Sequence, residues 1–187
     1  MKTNILWTGR EYYSLENCLV ISNEDGHIIS SSIVGSYQSS LYRVEYTIET
    51  NSEWGTKDVA IRFQLNGEVR TIQMHCNISG NWILNDEAAP QFKDFLYVDI
   101  PLTPFTNTLP INNLKLDIKE EAVIKVIYID LLEGTITPVE QLYIRKDERT
   151  YHYENIPNDF EADIIVDAQG YVVDYPQLFE RTAIEKY

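Results

Sequence analysis

Apolar and polar residues alternate along most of this chain, which is the pattern of β-strands whose two faces meet different surroundings. In residues 42–49 and again in 58–65, Val, Ile, Leu, Phe or Tyr occupies every second position. The pair Asn66-Gly67 follows the second run and favours the positive φ angles of a two-residue hairpin turn. Because a third alternating run comes next, the sequence predicts a β-hairpin over 58–77.

Further strands are predicted from the same period, and a few stretches depart from it. Residues 122–132 are apolar on both faces, which predicts a central strand covered on both sides. The tail 176–186 is predicted to be helical, with Pro176 in its first turn, and 87–94 is the other stretch with helical character. The remaining strands are predicted over 12–21, 27–34, 94–100, 138–146, 149–155, 160–167 and 171–175. Roughly ten or eleven strands at this spacing are typical of sandwiches and barrels.

The length of 187 residues fits one domain, and no Gly- or Ser-rich linker divides the chain. We therefore predict a single β-rich domain over 1–187. A long strand, a polar turn and a series of shorter hairpins occur in both 41–83 and 122–173. An alternative to one uniform domain is therefore two similar, intimately packed halves, about 1–98 and 99–187. Any antiparallel sheet, however, produces such a series of strands and turns.

Charge limits the partners that this chain can bind. Its 15 basic side chains face 29 acidic ones, which gives a net charge of −14. Nucleic-acid binding needs a basic surface, and the one short basic run, Arg145-Lys146, is followed directly by Asp147 and Glu148. The charge therefore disfavours both nucleic acid and anionic membrane surfaces as partners.

The sequence shows neither a signal peptide nor a membrane-spanning segment. Its start lacks a basic stretch followed by an apolar run, and no apolar run approaches the roughly 18 residues that cross a bilayer. Cys18 and Cys76 each lie in an apolar run, as buried free thiols do. We therefore expect a cytoplasmic protein without stable membrane insertion, and the sequence leaves its oligomeric state open.

The chain carries none of the standard catalytic or cofactor motifs. It has no G-x-G-x-x-G, no phosphate-binding loop and no G-x-S-x-G. The histidines His27, His75 and His152 are far apart in the sequence and lack the spacing of a zinc site. We therefore predict no cofactor, no metal and no catalytic residue.

Three carboxylates and one tryptophan have candidate chemistry. Glu16, Asp99 and Asp174 each lie beside apolar strand residues, so each is either solvated on an outer face or buried with a partner. Two of them in one pocket would allow acid–base hydrolysis of a sugar. Trp54 follows a polar turn at a strand end, where a partly exposed indole suits a sugar ring or the boundary of a lipid site.

The stretch 99–114, DIPLTPFTNTLPINNL, breaks the alternation. Its prolines end the preceding strand and favour extended conformations at Thr103 and Leu109. Apolar residues flank the tripeptide 106–108, Thr-Asn-Thr, whose short polar side chains can hydrogen-bond to nearby backbone. The segment is predicted to be a crossover pinned by proline, and its polar tip either closes one end of the sheet or faces a ligand.

Several motifs are similar to those of one bacterial family. TPFTNTLPI (103–111) and VDYPQLFER (173–181) resemble two motifs of the putative glycolipid-binding protein family. Shorter pieces agree in order and spacing from about residue 5 to residue 181, namely ILW (5–7), SLENC (14–18), VDIPLTP (98–104), PVEQLYIR (138–145) and YVVDYP (171–176). Asn17 departs from the family, in which histidine is common between the residues that match Glu16 and Cys18.

The resemblance implies a mainly β fold, with a long antiparallel sheet curled into an open or incomplete barrel and one or two short helices. This outline is similar to that of periplasmic lipoprotein carrier factors, and the family takes its name from that similarity, so the implied function follows from shape. The implied partner is a small amphiphile or glycolipid. The candidate ligand-binding residues, which apart from Trp54 lie in the family motifs, are Glu16, Trp54, Asp99, Thr106, Asn107, Thr108, Asp174 and Tyr175.

Three functions remain open from the sequence, in decreasing order of preference. The first is non-enzymatic binding of an amphiphile or glycolipid in the concave face of the curled sheet, with the sugar head near Asn107 and Trp54. The second is a structural or protein-interaction module. The third is a carboxylate-dependent hydrolase of a sugar or lipid, which requires two of Glu16, Asp99 and Asp174 in one pocket.

Overall fold

The computed structural model describes residues 1–157 and 159–187. Fifteen strands, one α-helix and two 3-10 turns form the regular structure of these residues. The strands are β1 (Lys2–Gly9), β2 (Ser14–Asn23), β3 (Gly26–Tyr37), β4 (Ser40–Asn51), β5 (Thr56–Leu65), β6 (Glu68–Cys76), β7 (Trp82–Leu84), β8 (Glu87–Ala88), β9 (Tyr97–Asp99), β10 (Glu121–Asp130), β11 (Thr135–Arg145), β12 (Thr150–Ile156), β13 (Glu161–Val166), β14 (Val172–Tyr175) and β15 (Phe179–Lys186). The helix is α1 (Thr108–Leu114), and the 3-10 turns cover Pro90–Phe92 and Phe105–Asn107.

All fifteen strands form one long sheet that does not close into a barrel. Its order runs from β8 down to β1 and then from β15 down to β9, so that β1 and β15 join the two ends of the chain. The pairs are antiparallel except for β9 and β10, which run parallel. The loop 89–96 connects β8 and β9, which are the two edge strands, and therefore links the two open edges of the sheet. The predicted mainly β fold is confirmed.

The predicted hairpin over 58–77 is confirmed. β5 and β6 pair in register, and Asn66 and Gly67 between them have φ angles of 50° and 84°. Strand β1 was not predicted, although its inward-facing positions alternate regularly. One of these positions is Thr3, which is 1% exposed, so a polar residue on the buried face obscures the pattern.

The predicted helix over 176–186 is wrong, because this tail forms β15. It pairs with β1 from Gly9–Phe179 to Thr3–Lys186, and hydrogen bonding along the free side of β1 outweighs local helical propensity. Phe179 is buried as expected, whereas Ile184, which was expected to face inward, is 36% exposed. In 87–94 the helical character is limited to the 3-10 turn Pro90–Phe92.

The prediction of a central, covered strand over 122–132 is also wrong. β10 lies second from one edge of the sheet, beside the three-residue strand β9. Val126 and Ile127 are both buried, which accounts for the apolar run in the sequence. The outer face of the strand nevertheless meets solvent, since Val123 is 58% exposed.

The concave face of the sheet is filled by the chain itself, through residues 100–111, which we call the plug. Ile33 and Ile48 on the inner face of the sheet have 0% exposure, and so have Phe105 and Leu109 in the plug. The amphiphile hypothesis assumed an open apolar cavity along the concave face. The described residues pack that face instead, because the apolar side chains of the plug occupy it.

The plug is helical rather than extended. Pro104 has φ −77° and ψ −12°, and the turn Phe105–Asn107 and helix α1 follow without a break. The extended conformation predicted for Leu109 is wrong, since this residue lies in the first turn of α1. Pro110 is tolerated in that turn because the first N–H groups of a helix have no intrahelical partner.

Candidate functional site

Glu16 on β2 fastens the plug to the N-terminal part of the sheet. Its Oε1 accepts hydrogen bonds from the hydroxyls of Ser31, Tyr46 and Thr103 at 2.7, 2.7 and 2.9 Å. Ser31 and Tyr46 are cross-strand neighbours on β3 and β4, and Thr103 belongs to the plug. Strand alternation places the side chains of Glu16, Ser31 and Tyr46 on the inner face of the sheet, where the plug contacts them.

Burial governs the electrostatics of Glu16. The residue is 2% exposed, and its Oε2 has no hydrogen-bond partner among the residues that the structure describes. Burial raises the pKa of Glu16 to about 7, and the three hydroxyl hydrogen bonds oppose part of this shift. Near neutral pH the carboxyl group therefore lies close to the midpoint of its titration.

Asp99, at the end of β9, fastens the plug to the C-terminal part of the sheet. The hydroxyl of Thr106 donates to its Oδ1 at 2.8 Å, and the amide of Gln141 on β11 donates to its Oδ2 at 2.7 Å. Burial raises the pKa of Asp99, while the hydrogen bonds from Thr106 and Gln141 oppose the shift. Two carboxyl groups thus hold the plug, Glu16 on β2 through Thr103 and Asp99 on β9 through Thr106.

The polar tip of the plug mainly holds the shape of the plug. Asn107 accepts a hydrogen bond from the hydroxyl of Tyr143 at 2.8 Å and donates one to the carbonyl of Pro104 at 3.3 Å. Thr108 is fully buried, and its hydroxyl has no partner within the described chain. The tip therefore closes the inside of the sheet, and Asn107 in addition lines a cavity.

This cavity has a volume of about 300 Å³ and lies between the plug and the C-terminal strands. Six of the sixteen residues that line it are aromatic, and they come from the turn after β1, from the residue before β13 and from strands β10, β12, β14 and β15. The aromatic residues of the wall are Tyr12, Tyr128, Tyr153, Phe160, Tyr175 and Phe179. Asp99, Asn107 and Gln141 add polar groups. The cavity thus combines aromatic surfaces with a few polar groups, as ligand sites do.

Tyrosine hydroxyls at the cavity are free to bind a ligand. Within residues 1–157 and 159–187, no hydrogen-bond partner is present for the hydroxyls of Tyr12, Tyr128, Tyr153 and Tyr175. A phenol hydroxyl can both donate and accept a hydrogen bond, so these four groups can satisfy a polar molecule. No Lys, Arg or His of the described chain lines the cavity, whereas Glu11 and Asp99 do, so the site disfavours anions.

Three of the predicted site residues meet at this cavity, namely Asp99, Asn107 and Tyr175. Three others, Glu16, Thr106 and Thr108, are buried around the plug without lining the cavity. Thr103 connects these two sets of residues, because it donates a hydrogen bond to Glu16 and also lines the cavity.

The remaining two predicted site residues lie away from the cavity. Asp174 pairs with Arg10 at 2.9 Å, and its side chain is 32% exposed. Trp54 is half-buried, and its indole stacks on the imidazole of His27 with 3.6 Å between ring centroids. The structure therefore does not gather Glu16, Asp99 and Asp174 into one pocket.

Apart from Tyr175, the tyrosines of the cavity wall were not predicted as site residues from the sequence. Tyr128 and Tyr153 lie on strands whose alternation is visible, so their inward direction could have been inferred. Their convergence on Asp99 depends on the register of β10 to β14, and the sequence does not fix that register where turns are irregular. Gln141 was missed because nothing distinguishes its amide from those on the solvent face until its contact with Asp99 is known.

One cluster in the described chain has the chemistry of metal ligands. The ligand atoms of His152, Glu154 and Glu161 lie within 4.8 Å of one another. The His152 ring also contacts Asp163 at 2.8 Å through Nδ1 and Glu154 at 3.0 Å through Nε2. Burial lowers the pKa of His152, but the hydrogen bonds to Asp163 and Glu154 outweigh it and raise the pKa. The hydrogen bonds from the two ring nitrogens to Asp163 and Glu154 therefore account for the close approach of these side chains.

No helix in the part of the chain that the structure describes has the length and apolar character needed to cross a bilayer.

Both cysteines are free thiols; Cys18 is buried as expected, whereas Cys76 is only half-buried.

Comparisons with known proteins agree with the fold. A DUF1089 family protein from Pseudomonas aeruginosa, known from a crystal structure, is 31% identical and superimposes with a TM-score of 0.81, covering 90% of this chain and 91% of that chain. A β-barrel-like protein of the domain of unknown function DUF1849 from Brucella abortus is 8% identical, with a TM-score of 0.62 over 100% of this chain and 97% of that chain. At that identity the likeness concerns the fold alone.

No protein of curated function matches the chain. The family described as "Putative glycolipid-binding" matches residues 4–181, which is nearly the whole sequence. The chain therefore belongs to the putative glycolipid-binding family.

Proposed function

We propose that this protein binds an amphiphile without transforming it, and that the tyrosine-lined cavity holds the head group. The observation that carries the proposal is the set of four tyrosine hydroxyls without a partner among the described residues, in a cavity that Asp99 and Gln141 also line. A sugar ring presents apolar faces to aromatic rings and hydroxyls to polar side chains, so this wall is complementary to it. The family description supports the same class of ligand.

The head group is uncharged. The chain has a net charge of −14, and the cavity itself contains Asp99 and Glu11 without a basic side chain among the described residues. A phosphate or carboxylate would meet repulsion there that no cation offsets. Neutral hydroxyl groups can instead donate to Asp99 and accept from the tyrosines.

The head group is also small. A volume of about 300 Å³ lies at the lower end of the range for ligand pockets. The cavity suits a single ring or a group of similar size, and the filled concave face leaves little further room beside it.

Native mass spectrometry of the protein purified from its host tests this proposal. The wild-type protein should retain a ligand, and the double variant Tyr128→Phe/Tyr153→Phe should lose it, because two hydrogen-bonding groups disappear while both rings remain. Removing two such bonds should lower occupancy at limiting ligand by about tenfold.

The matched control is the double variant Tyr37→Phe/Tyr187→Phe, which removes two hydroxyls that do not line the cavity. Its occupancy should equal that of the wild type. Equal retention by both double variants, or wild-type protein free of any ligand, would contradict the proposal.

A further inference from the structure

An amphiphile whose head occupies the cavity must place its apolar chain elsewhere. The cavity holds about 300 Å³, and the plug occupies the concave face with fully buried residues such as Phe105 and Leu109. An apolar chain that left the cavity would therefore have to run over a neighbouring surface. That surface should be apolar, uncharged and close to the cavity wall.

One groove on the outer surface meets these conditions. It has a volume of about 830 Å³ and lies across the ends of β1, β2, β3 and β4. Leu15 and Val34 are cross-strand partners in it and are 46% and 54% exposed. Tyr13 and Leu41 flank them and are 79% and 78% exposed. Four large apolar side chains exposed together are unusual for a surface without a function.

The groove and the cavity are separated by a single turn of chain. In the turn between β1 and β2, Tyr12 lines the cavity and the next residue, Tyr13, lines the groove. Tyr13 has a φ of 42°, a conformation that costs energy for a bulky residue and here holds the ring outward. On the same strand end, Gly9 lines the groove and pairs with Phe179 of the cavity wall.

The groove carries almost no charge in an otherwise acidic protein. Among the residues that the structure describes, Arg10 is the only charged one that lines the groove. Its guanidinium is already bound to Asp174 at 2.9 Å and to Glu180 at 3.0 Å. An uncharged hydrocarbon chain therefore matches this surface better than a charged peptide would.

We infer that this groove binds the acyl or alkyl chain of the amphiphile whose head lies in the cavity, with the chain passing over the turn between β1 and β2. The inference rests on the proposed function for the head group. The bound amphiphile has a single hydrocarbon chain, because the exposed apolar surface of the groove is only as wide as the pair Leu15–Val34 with its two flanking side chains.

A series of alkyl β-D-glucosides, from methyl to octyl and below the concentrations at which they form micelles, tests the inference by calorimetric titration. Affinity should rise about two- to fourfold for each added methylene, since the chain is buried partly or fully. In the double variant Leu15→Gln/Val34→Thr this dependence on chain length should disappear, while the affinity for methyl glucoside stays unchanged.

The matched control is Leu96→Gln/Val123→Thr, which makes the same changes at two residues that are 49% and 58% exposed and lie outside the groove. It should retain the wild-type dependence on chain length. The inference is overturned if the groove variant retains that dependence, or if sedimentation shows a dimer that the groove variant alone dissociates.

The failure of the inference can be told from the failure of the proposed function. Binding of methyl glucoside with no gain from longer chains overturns the groove and leaves the cavity as the head-group site. Failure of every glucoside to bind, together with no retained ligand in native mass spectrometry, overturns both.

Discussion

Thr103 donates a hydrogen bond to Glu16 at 2.9 Å, although 87 residues separate the two in the sequence. The same hydroxyl oxygen accepts a hydrogen bond from the backbone N–H of Phe105 at 3.0 Å. One side chain thus joins the turn that shapes the plug to the inner face of β2. Because Thr103 also lines the cavity, this contact connects the stability of the plug with the geometry of the site.

Replacing Thr103 with Val keeps the shape of the side chain and removes the hydroxyl. Glu16 then loses one donor and the Phe105 N–H loses its acceptor, so the free energy of unfolding should fall by about 1–3 kcal/mol. Thr103→Ser retains the hydroxyl and should cost less than about 1 kcal/mol. Urea denaturation followed by tryptophan fluorescence measures both, and a loss in Thr103→Ser as large as that in Thr103→Val would contradict the assignment of the stabilisation mainly to the hydroxyl.

The raised pKa of Glu16 should make the stability of the protein depend on pH. Its pKa is about 7 in the folded protein and ordinarily 4.5, so the folded state holds the proton more tightly. The stabilisation is fully present below pH 4.5 and is lost as the pH rises to about 7. Between about pH 5 and about pH 8, the wild type should lose about 2–3 kcal/mol relative to Glu16→Gln, which does not titrate.

Urea denaturation of the wild type and Glu16→Gln at both pH values measures this difference. Other groups titrate in both proteins alike, so the variant serves as the reference at each pH. A constant difference between the two proteins would mean that Glu16 does not titrate in this range.

Asn107 and Tyr143 should be energetically coupled. Each single variant, Asn107→Ala or Tyr143→Phe, breaks the 2.8 Å hydrogen bond between them and should cost about 1–3 kcal/mol. The double variant should cost less than the sum by about 1 kcal/mol, because the second change removes a partner that is already lost. Strict additivity in the double-mutant cycle would contradict the role assigned to the tip of the plug.

The conformation of the C-terminal tail can be tested by truncating two of its apolar side chains to alanine. Phe179 is 2% exposed, so Phe179→Ala should cost about 3–5 kcal/mol. Ile184 is 36% exposed in β15, so Ile184→Ala should cost less than about 1 kcal/mol. A helix with both residues facing inward would instead make both substitutions costly, and thermal denaturation distinguishes the two cases.

Local patterns in the sequence were sufficient for the elements that depend on neighbours in the chain. The hairpin at Asn66-Gly67 follows from its turn residues, and the end of β9 follows from the proline two residues later. The tail 179–186 could not be predicted in this way, because its conformation is set by β1 at the other end of the chain.

The candidate site shows the same division. The motif around Asn107 and the carboxyl group of Asp99 were found from the sequence, since both stand out against their surroundings. The convergence of Tyr12, Tyr128 and Tyr153 was not, because it depends on the curvature and register of the whole sheet. The filling of the concave face by the plug likewise results from packing between segments that are far apart in the sequence.

A crystal structure of the protein saturated with octyl β-D-glucoside tests the central claim most directly. We predict density for the sugar ring in the cavity, with its hydroxyls within hydrogen-bonding distance of Asp99 and of at least one of the hydroxyls of Tyr128 and Tyr153. A cavity that contains only water, with the glucoside bound elsewhere on the protein, would contradict the proposal that this cavity is the head-group site.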